Sequence, residues 1–210
     1  MNKNLRHNRC LAIIPAKEHS ERLPNKNILP INGKELWMHS VEYAINETVV
    51  YVVSTDSEHI INQCKTMNIP YFKEIVNDSN MINCIKQVVE KYANYQYICV
   101  LQPTSPLRQQ GMLQNMLNMN IKSSCYTANH IKIIGHINNK FHIAYRAQDT
   151  SNYLEHFDGN ILLINTNFLI KENKLFDDNS IFVINKIPYV LQIDTKEEYD
   201  LIKLYMENAI

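Results

Sequence analysis

The sequence predicts an α/β fold built on one mostly parallel sheet. Two short apolar runs, "CLAIIP" at 10–15 and "VVYVVS" at 49–54, lack the polar alternation of half-exposed strands. Such runs are typical of strands that are covered on both faces. Segments with helical spacing separate the apolar runs. Because strands that alternate with helices pair in parallel through right-handed crossovers, we expect helices on both faces of the sheet.

The predicted elements follow one another without long gaps. A helix over "GKELWMHSVEYAI" follows the first strand, and another begins near Ser57 after the second. The short strand "IPYF" precedes a helix over about Met81 to Tyr92. The strand "YICVLQP" and the helix "QGMLQNMLNM" complete the alternation. The residues predicted to face inward are Leu36, His39 or Ser40, Tyr43, Ala44, Ile60, Ile61 and Cys64.

After Ile121 the pattern changes to short strand candidates without full helices between them. These candidates are "SSCYTA", "KIIGHI", "KFHIAYR", "GNILLIN" and "YVLQI". They predict antiparallel strands or a flap, which we place at about 123–157. A final helix over "KEEYDLIKLYMENA" has Thr195 as its predicted N-cap, and the residues predicted to face inward are Tyr199, Leu201, Ile202 and Tyr205.

Composition favours one domain over residues 1–210 and excludes several classes of partner. The chain has 210 residues, 45% of them hydrophobic, which is enough for one core. Its formal net charge is +0, so neither nucleic acid nor an anionic membrane is an expected partner. No apolar run approaches the roughly 20 residues of a membrane span, and the N-terminus lacks a signal core. We therefore expect a cytoplasmic protein.

The cysteines and histidines give no strong site. The five cysteines are scattered and form no C-x-x-C pair, which favours buried reduced thiols over a disulfide framework or a zinc site. His130, His136 and His142 recur at regular intervals but do not share a helical face. Surface or hydrogen-bonded histidines are therefore favoured over a metal site.

Charged residues gather where the first predicted strand ends. In open α/β sheets ligands bind beyond the carboxyl ends of the strands. The segment "PAKEHSERLPNKN" places Lys17, Arg22 and Lys26 at such an end. Three cations suit a polyphosphate, although an ordinary solvated loop explains the residue types equally well. The loop is not a P-loop, because no glycine lies between Leu11 and Asn32.

Four segments together resemble the acylneuraminate cytidylyltransferase family, the CMP-sialic acid synthetases. They are "IIPAKEHSERLPNKNILPINGKELWMHSVEYAI", "VVSTDSEHI", "VLQPTSPLR" and "IDTKEEYDL". They occur in the family's order and extend over nearly the whole chain. The resemblance implies a three-layer, Rossmann-like nucleotidyltransferase fold and a homodimer. It also implies that CTP and a nonulosonic acid, such as sialic or legionaminic acid, give CMP-sugar and pyrophosphate with Mg²⁺.

The resemblance also assigns roles to individual residues. Lys17, Lys26 and Asp194 take the catalytic positions, and Asp194 with Gln192 takes the metal site. The residues at nucleotide-binding positions are Ala16, Lys17, Arg22, Lys26, Asn27, Asp78 and Ser79. The residues at sugar-binding positions are Gln102, Thr104, Ser105, Lys132, Arg146 and Gln148. Since the reaction is an in-line attack on the α-phosphorus, these roles amount to positioning and neutralisation of charge.

Several positions depart from the family pattern. Gln192 replaces one of two expected metal carboxylates, Lys17 replaces an arginine, and Asp158 replaces the usual asparagine of "NGAIY". Lysine keeps the charge of arginine but loses its bidentate fork. Two alternatives therefore stay open. One is a nucleotidyltransferase for a different sugar or a phosphonate, and the other is a nucleotide-binding paralogue with weakened catalysis.

Overall fold

The computed structural model describes residues 9–74, 80–92, 94–119, 121–131, 134–137, 140–143 and 154–208. The strands are β1 Cys10–Pro15, β2 Pro30–Ile31, β3 Lys34–Glu35, β4 Val50–Thr55, β5 Tyr71–Lys73, β6 Tyr97–Val100, β7 Ser124–Ile131, β8 Ile134–Ile137, β9 Lys140–Ile143, β10 Leu154–Asn165 and β11 Ile181–Ile184. The helices are α1 Leu36–Asn46, α2 Glu58–Thr66, α3 Met81–Lys91, α4 Met112–Leu117, α5 Thr166–Glu172 and α6 Lys196–Asn208. None of these helices is long and apolar enough to cross a lipid bilayer.

One seven-stranded sheet organises the fold, with the order β11-β7-β10-β6-β1-β4-β5. The pairs β1–β4, β1–β6, β4–β5 and β7–β11 are parallel. Only β10 runs the other way, and it pairs antiparallel with both β6 and β7. Two small antiparallel ribbons, β2–β3 and β8–β9, lie outside this sheet. The mostly parallel sheet with a small antiparallel part was predicted correctly.

Both faces of the sheet are buried, which makes it the middle layer of three. Ala12 and Ile14 of β1 pack in a cluster that includes residues of α1, α2 and α4. Leu11 and Ile13 of the same strand pack in a second cluster with residues of α3 and α5. Because successive side chains of a strand point to opposite faces, continuous apolar runs are what such a sheet requires.

The C-terminal helix α6 covers a third, smaller apolar cluster. Tyr199 and Ile202 are buried there, as predicted, together with residues of the N-terminal loops. The prediction that Leu201 and Tyr205 face inward was wrong, because these side chains are 57% and 42% exposed. The cluster is narrow, so α6 buries only one stripe of its surface.

Three further details differ from the sequence prediction. The segment "YVLQI" is not a strand: Ile193 N–H donates to Thr104 C=O, and the Asn160 amide donates to Tyr189 C=O. Its backbone therefore bonds to several different neighbours instead of to one strand. In addition, β11 and α5 were not predicted.

All five cysteines are buried and free, as predicted. Burial raises the pKa of the Cys64 and Cys125 thiols to about 11, so both are protonated at neutral pH.

Candidate active site

The carboxyl ends of β1, β4, β5 and β6 meet at one edge of the sheet. Backbone hydrogen bonds continue past the strand ends: Ala16 N–H donates to Ser54 C=O at 2.8 Å, and Glu74 N–H donates to Thr55 C=O at 3.0 Å. Leu101 N–H likewise donates to Ile13 C=O at 3.0 Å. These bonds hold the first residue of each following loop in place, so the loops leave the sheet in fixed directions.

The cation loop, residues 16–27, is anchored at several points. Leu23 is buried in the cluster below α6. Asn25 has a left-handed backbone with φ of 57° and precedes a short 3-10 turn, Lys26–Ile28. The Asn27 amide donates to the Lys17 carbonyl at 2.8 Å, which closes the loop on itself. Lys26 is only 8% exposed, unlike a lysine on an ordinary solvated loop.

Asp194 neutralises two cations of this loop. Its Oδ1 lies 2.8 Å from Lys26 Nζ and 3.1 Å from an Arg22 guanidinium nitrogen. The Asp194 side chain is one-quarter exposed, whereas the Lys26 side chain is almost covered. The structure therefore brings three predicted site residues into one charged cluster, in which Lys26 and Asp194 are 168 positions apart in the sequence.

The start of α6 holds Asp194 in place through a capping box. Thr195 Oγ1 accepts from Glu198 N–H at 3.3 Å, so the predicted N-cap is confirmed. In return, the Glu198 carboxylate accepts from Thr195 N–H at 2.9 Å and from Asp194 N–H at 2.7 Å. This reciprocal pattern fixes the first turn of the helix and the residue that precedes it.

A cleft opens between the cation loop and the carboxyl end of β6, with a cavity of about 220 Å³. Lys17, Lys26 and Asn27 line one side, and Gln102 and Thr104 line the other. Apolar side chains of β1 and α3 form part of its wall. Cationic groups on an apolar wall suit a ligand that carries both phosphates and a flat base.

The turn that follows β6 faces this cleft only in part. Ser105 N–H donates to Gln102 C=O at 3.1 Å, and Thr104 C=O accepts from Ile193 N–H at 2.8 Å, which connects the turn to the Asp194 segment. Ser105 is fully buried and does not line the cleft. The predicted sugar-binding turn therefore presents Gln102 and Thr104.

A bulge in β10 lies next to this turn. The register with β7 shifts between Phe157 and Leu162, and Gly159 within it has φ of +69°. The Gln192 amide nitrogen donates to the Asp158 carbonyl. A methyl group on Gly159 would collide with that amide and lie 3.1 Å from Gln102 Oε1. Gln192 and Gln102 thus meet over a glycine that leaves room for both.

The buried carboxylate of Asp158 stabilises the bulge. The Asp158 carboxylate accepts from Thr127 Oγ1 at 2.6 Å, from Asn185 Nδ2 at 2.8 Å and from Asn160 N–H at 3.0 Å. Where the family usually has asparagine, Asp158 therefore supplies an anion that organises the bulge. In this chain, Asp158 therefore has a structural role.

Arg108 is a buried residue that the sequence interpretation missed. Its Nε donates to Asn160 C=O at 3.0 Å, and a terminal nitrogen donates to Ser40 Oγ at 3.0 Å. The other terminal nitrogen donates to Gln102 C=O. Burial lowers the pKa of Arg108 to about 10, so it remains charged at neutral pH. One guanidinium thus ties together α1, the β10 bulge and the turn after β6.

The described residues fit a magnesium site of limited size. Among them, no group of three or more His, Cys, Asp or Glu side chains could hold a metal ion unaided. Mg²⁺ needs only one or two carboxylates when substrate phosphates supply further oxygens. Asp194 fits this role, because within the described ranges both cations contact its Oδ1, which leaves its Oδ2 for a metal ion. Gln192 uses its amide nitrogen on Asp158, so its oxygen is the atom left for a ligand.

Five predicted site residues lie outside the described residues: Asp78, Ser79, Lys132, Arg146 and Gln148. The side chains of His130, His136 and His142 lie outside them as well. Ala16 is fully buried at the end of β1, where its N–H donates to Ser54 C=O and its C=O accepts from Thr55 Oγ1, so both backbone groups are used within the protein.

Comparisons with known proteins agree on one family. A family model described as Cytidylyltransferase matches residues 11–209. The N-acylneuraminate cytidylyltransferase of Streptococcus agalactiae is 24% identical over 212 residues, covering 90% of this chain and 51% of the relative. The CMP-N,N'-diacetyllegionaminic acid synthase of Legionella pneumophila is 30% identical over 122 residues, which is 53% of each chain. The chain thus spans about half the length of the curated relatives it matches.

Solved structures show the same fold. A structure of CMP:2-keto-3-deoxy-manno-octonic acid synthetase in complex with CTP has a TM-score of 0.74, with 18% identity. The match covers 96% of this chain and 100% of that one. The nucleotidyltransferase fold predicted from the sequence is therefore confirmed.

Proposed function

This chain belongs to the cytidylyltransferase family, and we propose that it transfers a cytidylyl group from CTP to a nonulosonic acid, such as sialic or legionaminic acid. The observation that carries the proposal is the cleft that gathers Lys17 and Lys26 beside Asp194 at the carboxyl ends of the strands. The names of the Streptococcus and Legionella relatives support this class of acceptor.

The proposed reaction joins the anomeric oxygen of the sugar acid to the α-phosphorus of CTP. The bond from the α-phosphorus to the β-phosphate bridge breaks, pyrophosphate leaves, and the hydroxyl proton goes to solvent. Lys17 and Lys26 bind the triphosphate and neutralise charge on the leaving group, whereas Gln102 and Thr104 orient the acceptor. Mg²⁺, held by Asp194 and by phosphate oxygens, would supply further charge neutralisation when bound.

Pyrophosphate release tests this proposal directly. The protein is incubated with Mg²⁺, each of the four nucleoside triphosphates, and sialic, legionaminic and 3-deoxy-manno-octulosonic acids in turn. We expect release with CTP and one of these acids. Equal turnover with ATP would contradict a cytidylyltransferase and favour a different nucleotidyltransferase. Nucleotide binding without any release would favour the weakened paralogue.

Matched lysine variants connect the activity to the cleft. Lys26→Met should raise KM for CTP and lower kcat, because the charge acts on a phosphate that changes during the reaction. Lys34→Met is the control, because Lys34 is a half-exposed lysine paired with Glu42 in a surface ion pair. If both variants lose activity equally, the cleft is not the active site.

A homodimer and a cytoplasmic location belong to the same proposal. The β8–β9 ribbon has only two strands and pairs with no strand of the main sheet within the described residues. Isolated two-stranded ribbons are marginal in water, so a second copy that packs against the segment 123–157 would stabilise it. Light scattering that shows a monomer at high protein concentration would contradict the dimer. A cytoplasmic location is proposed because the proposed substrate, CTP, is a cytoplasmic nucleotide.

A further inference from the structure

Glu74 is a buried carboxylate directly behind the wall of the cleft. It follows β5, and its side chain is only 1% exposed. Its Oε1 accepts from Ser54 Oγ at 2.9 Å, and its Oε2 lies 3.8 Å from Cys84 Sγ and 3.9 Å from Lys17 Nζ. Ser54, Cys84 and Lys17 all line the cleft. Every one of these three contacts therefore leads to a residue that a ligand would meet.

Packing does not explain a carboxylate at this position. Burial raises the pKa of the Glu74 carboxyl, and the Ser54 hydrogen bond and the Lys17 charge oppose this rise only in part. Asp56, which lies nearby, adds to the rise as a like charge. A buried charge with incomplete compensation is less stable than a neutral side chain of the same shape. Unfavourable groups of this kind concentrate at functional sites.

Each cation of the cleft has its own carboxylate. Asp194 binds Lys26 and Arg22, whereas the Glu74 carboxylate faces Lys17. The Lys17 side chain is 24% exposed, so its ammonium has the carboxylate on one side and the cleft on the other. At 3.9 Å this pair is looser than the Lys26 pair at 2.8 Å.

We propose that Glu74 is a positioning residue that holds the Lys17 ammonium at the wall of the cleft, where it meets a phosphate of the bound nucleoside triphosphate. Ser54 fixes the carboxylate by its hydrogen bond to Oε1. The inference rests on the proposed function, because it needs a nucleotide in the cleft. Glu74 acts on that nucleotide through Lys17 and does not contact it.

Glu74→Gln is the decisive variant, because glutamine keeps the shape and can still accept the Ser54 hydrogen bond. We expect kcat/KM for CTP to fall roughly tenfold, as for other residues that orient a ligand-binding group. The thermal unfolding midpoint should not fall. Glu47→Gln is the control, since Glu47 is equally buried but caps the start of α4 through Gly111 and Gln114 N–H groups. This control should lose stability and keep its KM for CTP.

A double-mutant cycle tests whether Glu74 acts through Lys17. In a Lys17→Met background, Glu74→Gln should change kcat/KM for CTP by less than about twofold, because the group that it positions is gone. A full tenfold loss in that background would overturn the inference, as would a Glu74→Gln variant that is inactive because it is unfolded.

Calorimetric titration with CTP alone separates this inference from the proposed function. If the parent binds CTP and Glu74→Gln binds it several-fold more weakly, the inference is supported. If both bind CTP equally, the inference fails and the proposed function stands. If the parent binds no CTP, both are overturned.

Discussion

The β10 bulge and the cleft beside the cation loop lie side by side, and each has buried or half-buried charged side chains. The two regions differ in how many hydrogen bonds these side chains make. In the bulge, Arg108 donates to three separate acceptors and Asp158 accepts from three donors. Beside the cleft, the Glu74 carboxylate accepts one hydrogen bond shorter than 3 Å within the described residues, and Asp194 is one-quarter exposed. Most polar groups of the bulge are therefore bonded to one another, and only the buried Asn160 Oδ1 has no hydrogen-bond partner within the described residues. Solvent still reaches the Asp194 carboxylate beside the cleft.

This difference separates the expected effects of mutations. A network in which most groups are bonded gives rigidity, and removing one member leaves its partners in the interior without a hydrogen bond. Groups in or beside an open cleft can meet a ligand, so their loss should weaken activity more than stability. Variants of the two regions should therefore differ in whether stability or activity falls.

Arg108→Met should destabilise the protein by about 3 kcal/mol or more, because the carbonyls of Gln102 and Asn160 lose charge-assisted hydrogen bonds inside the protein. Urea unfolding followed by circular dichroism gives the free energy of unfolding. Arg22→Met serves as the control, since the Arg22 side chain is 68% exposed and should matter little for stability. A loss below about 1 kcal/mol for Arg108→Met would mean that the network is not what holds the bulge.

Asp194→Asn should lower kcat roughly 100-fold, which corresponds to about 3 kcal/mol in the barrier, and should change stability little. Nucleotide binding without metal should survive, because Lys17 and Lys26 remain. Asp200→Asn, an exposed carboxylate on α6, is the control. If Asp194→Asn keeps near-parent activity, the carboxylate that binds the metal lies elsewhere. In that case, titration of Gln192→Asp with Mg²⁺ should show the same metal dependence as the parent.

Thr195→Ala should lower stability by about 1 kcal/mol, because the Glu198 N–H loses its N-cap acceptor. The expected outcome is a drop in the unfolding midpoint of about 3 °C at unchanged KM for CTP. Thr195 is next to Asp194 in the sequence, but it stabilises the fold and does not act on the ligand. The two variants therefore compare a structural residue with a neighbouring functional one. A large loss of activity with an unchanged midpoint would remove the distinction between these neighbours.

The smallest effect is a pH-dependent gain in stability for Glu74→Gln. The pKa of the Glu74 carboxyl is raised by burial, so the folded protein holds a proton that the unfolded chain releases above about 4.3. Glu74 therefore contributes its stability fully below that pH and loses it as pH rises through the folded pKa. Glutamine does not titrate, so the variant should melt about 1–2 °C above the parent at pH 8 and no higher than it at pH 4. Thermal scans at both pH values measure this, and a constant difference would contradict the assignment.

Most strands of the sheet could be predicted from the sequence, because their apolar runs are long enough to be distinguished from the surrounding loops and helices. β1 and β4 have six residues each, and most of their side chains are buried. β11 was missed because it has four residues on the sheet edge, of which Ile181 and Phe182 are exposed, and no alternation marks it. "YVLQI" has the composition of a strand, but its backbone groups bond to several separate neighbours, which composition does not reveal.

The candidate site was predictable where strand ends determine it. The rule that loops after parallel strands converge places Lys17, Lys26 and Gln102 around one cleft, as the structure shows. Glu74 and Arg108 were not predictable in the same way. A charged residue in a sequence is expected at the surface, and nothing in the residues next to either one signals burial.

The position of β10 also limits the order in which a nascent chain can assemble its sheet. β1, β4, β5 and β6 come from residues 10–100 and pair with one another, so they can form a unit as soon as they leave the ribosome. β7 is synthesised next, but both of its neighbours, β10 and β11, lie later in the chain. Until Asn165 has been added, the edge of β6 therefore stays open and β7 has no partner in this sheet. β10, which is made late, is thus the strand that joins β7 and β11 to the rest of the sheet.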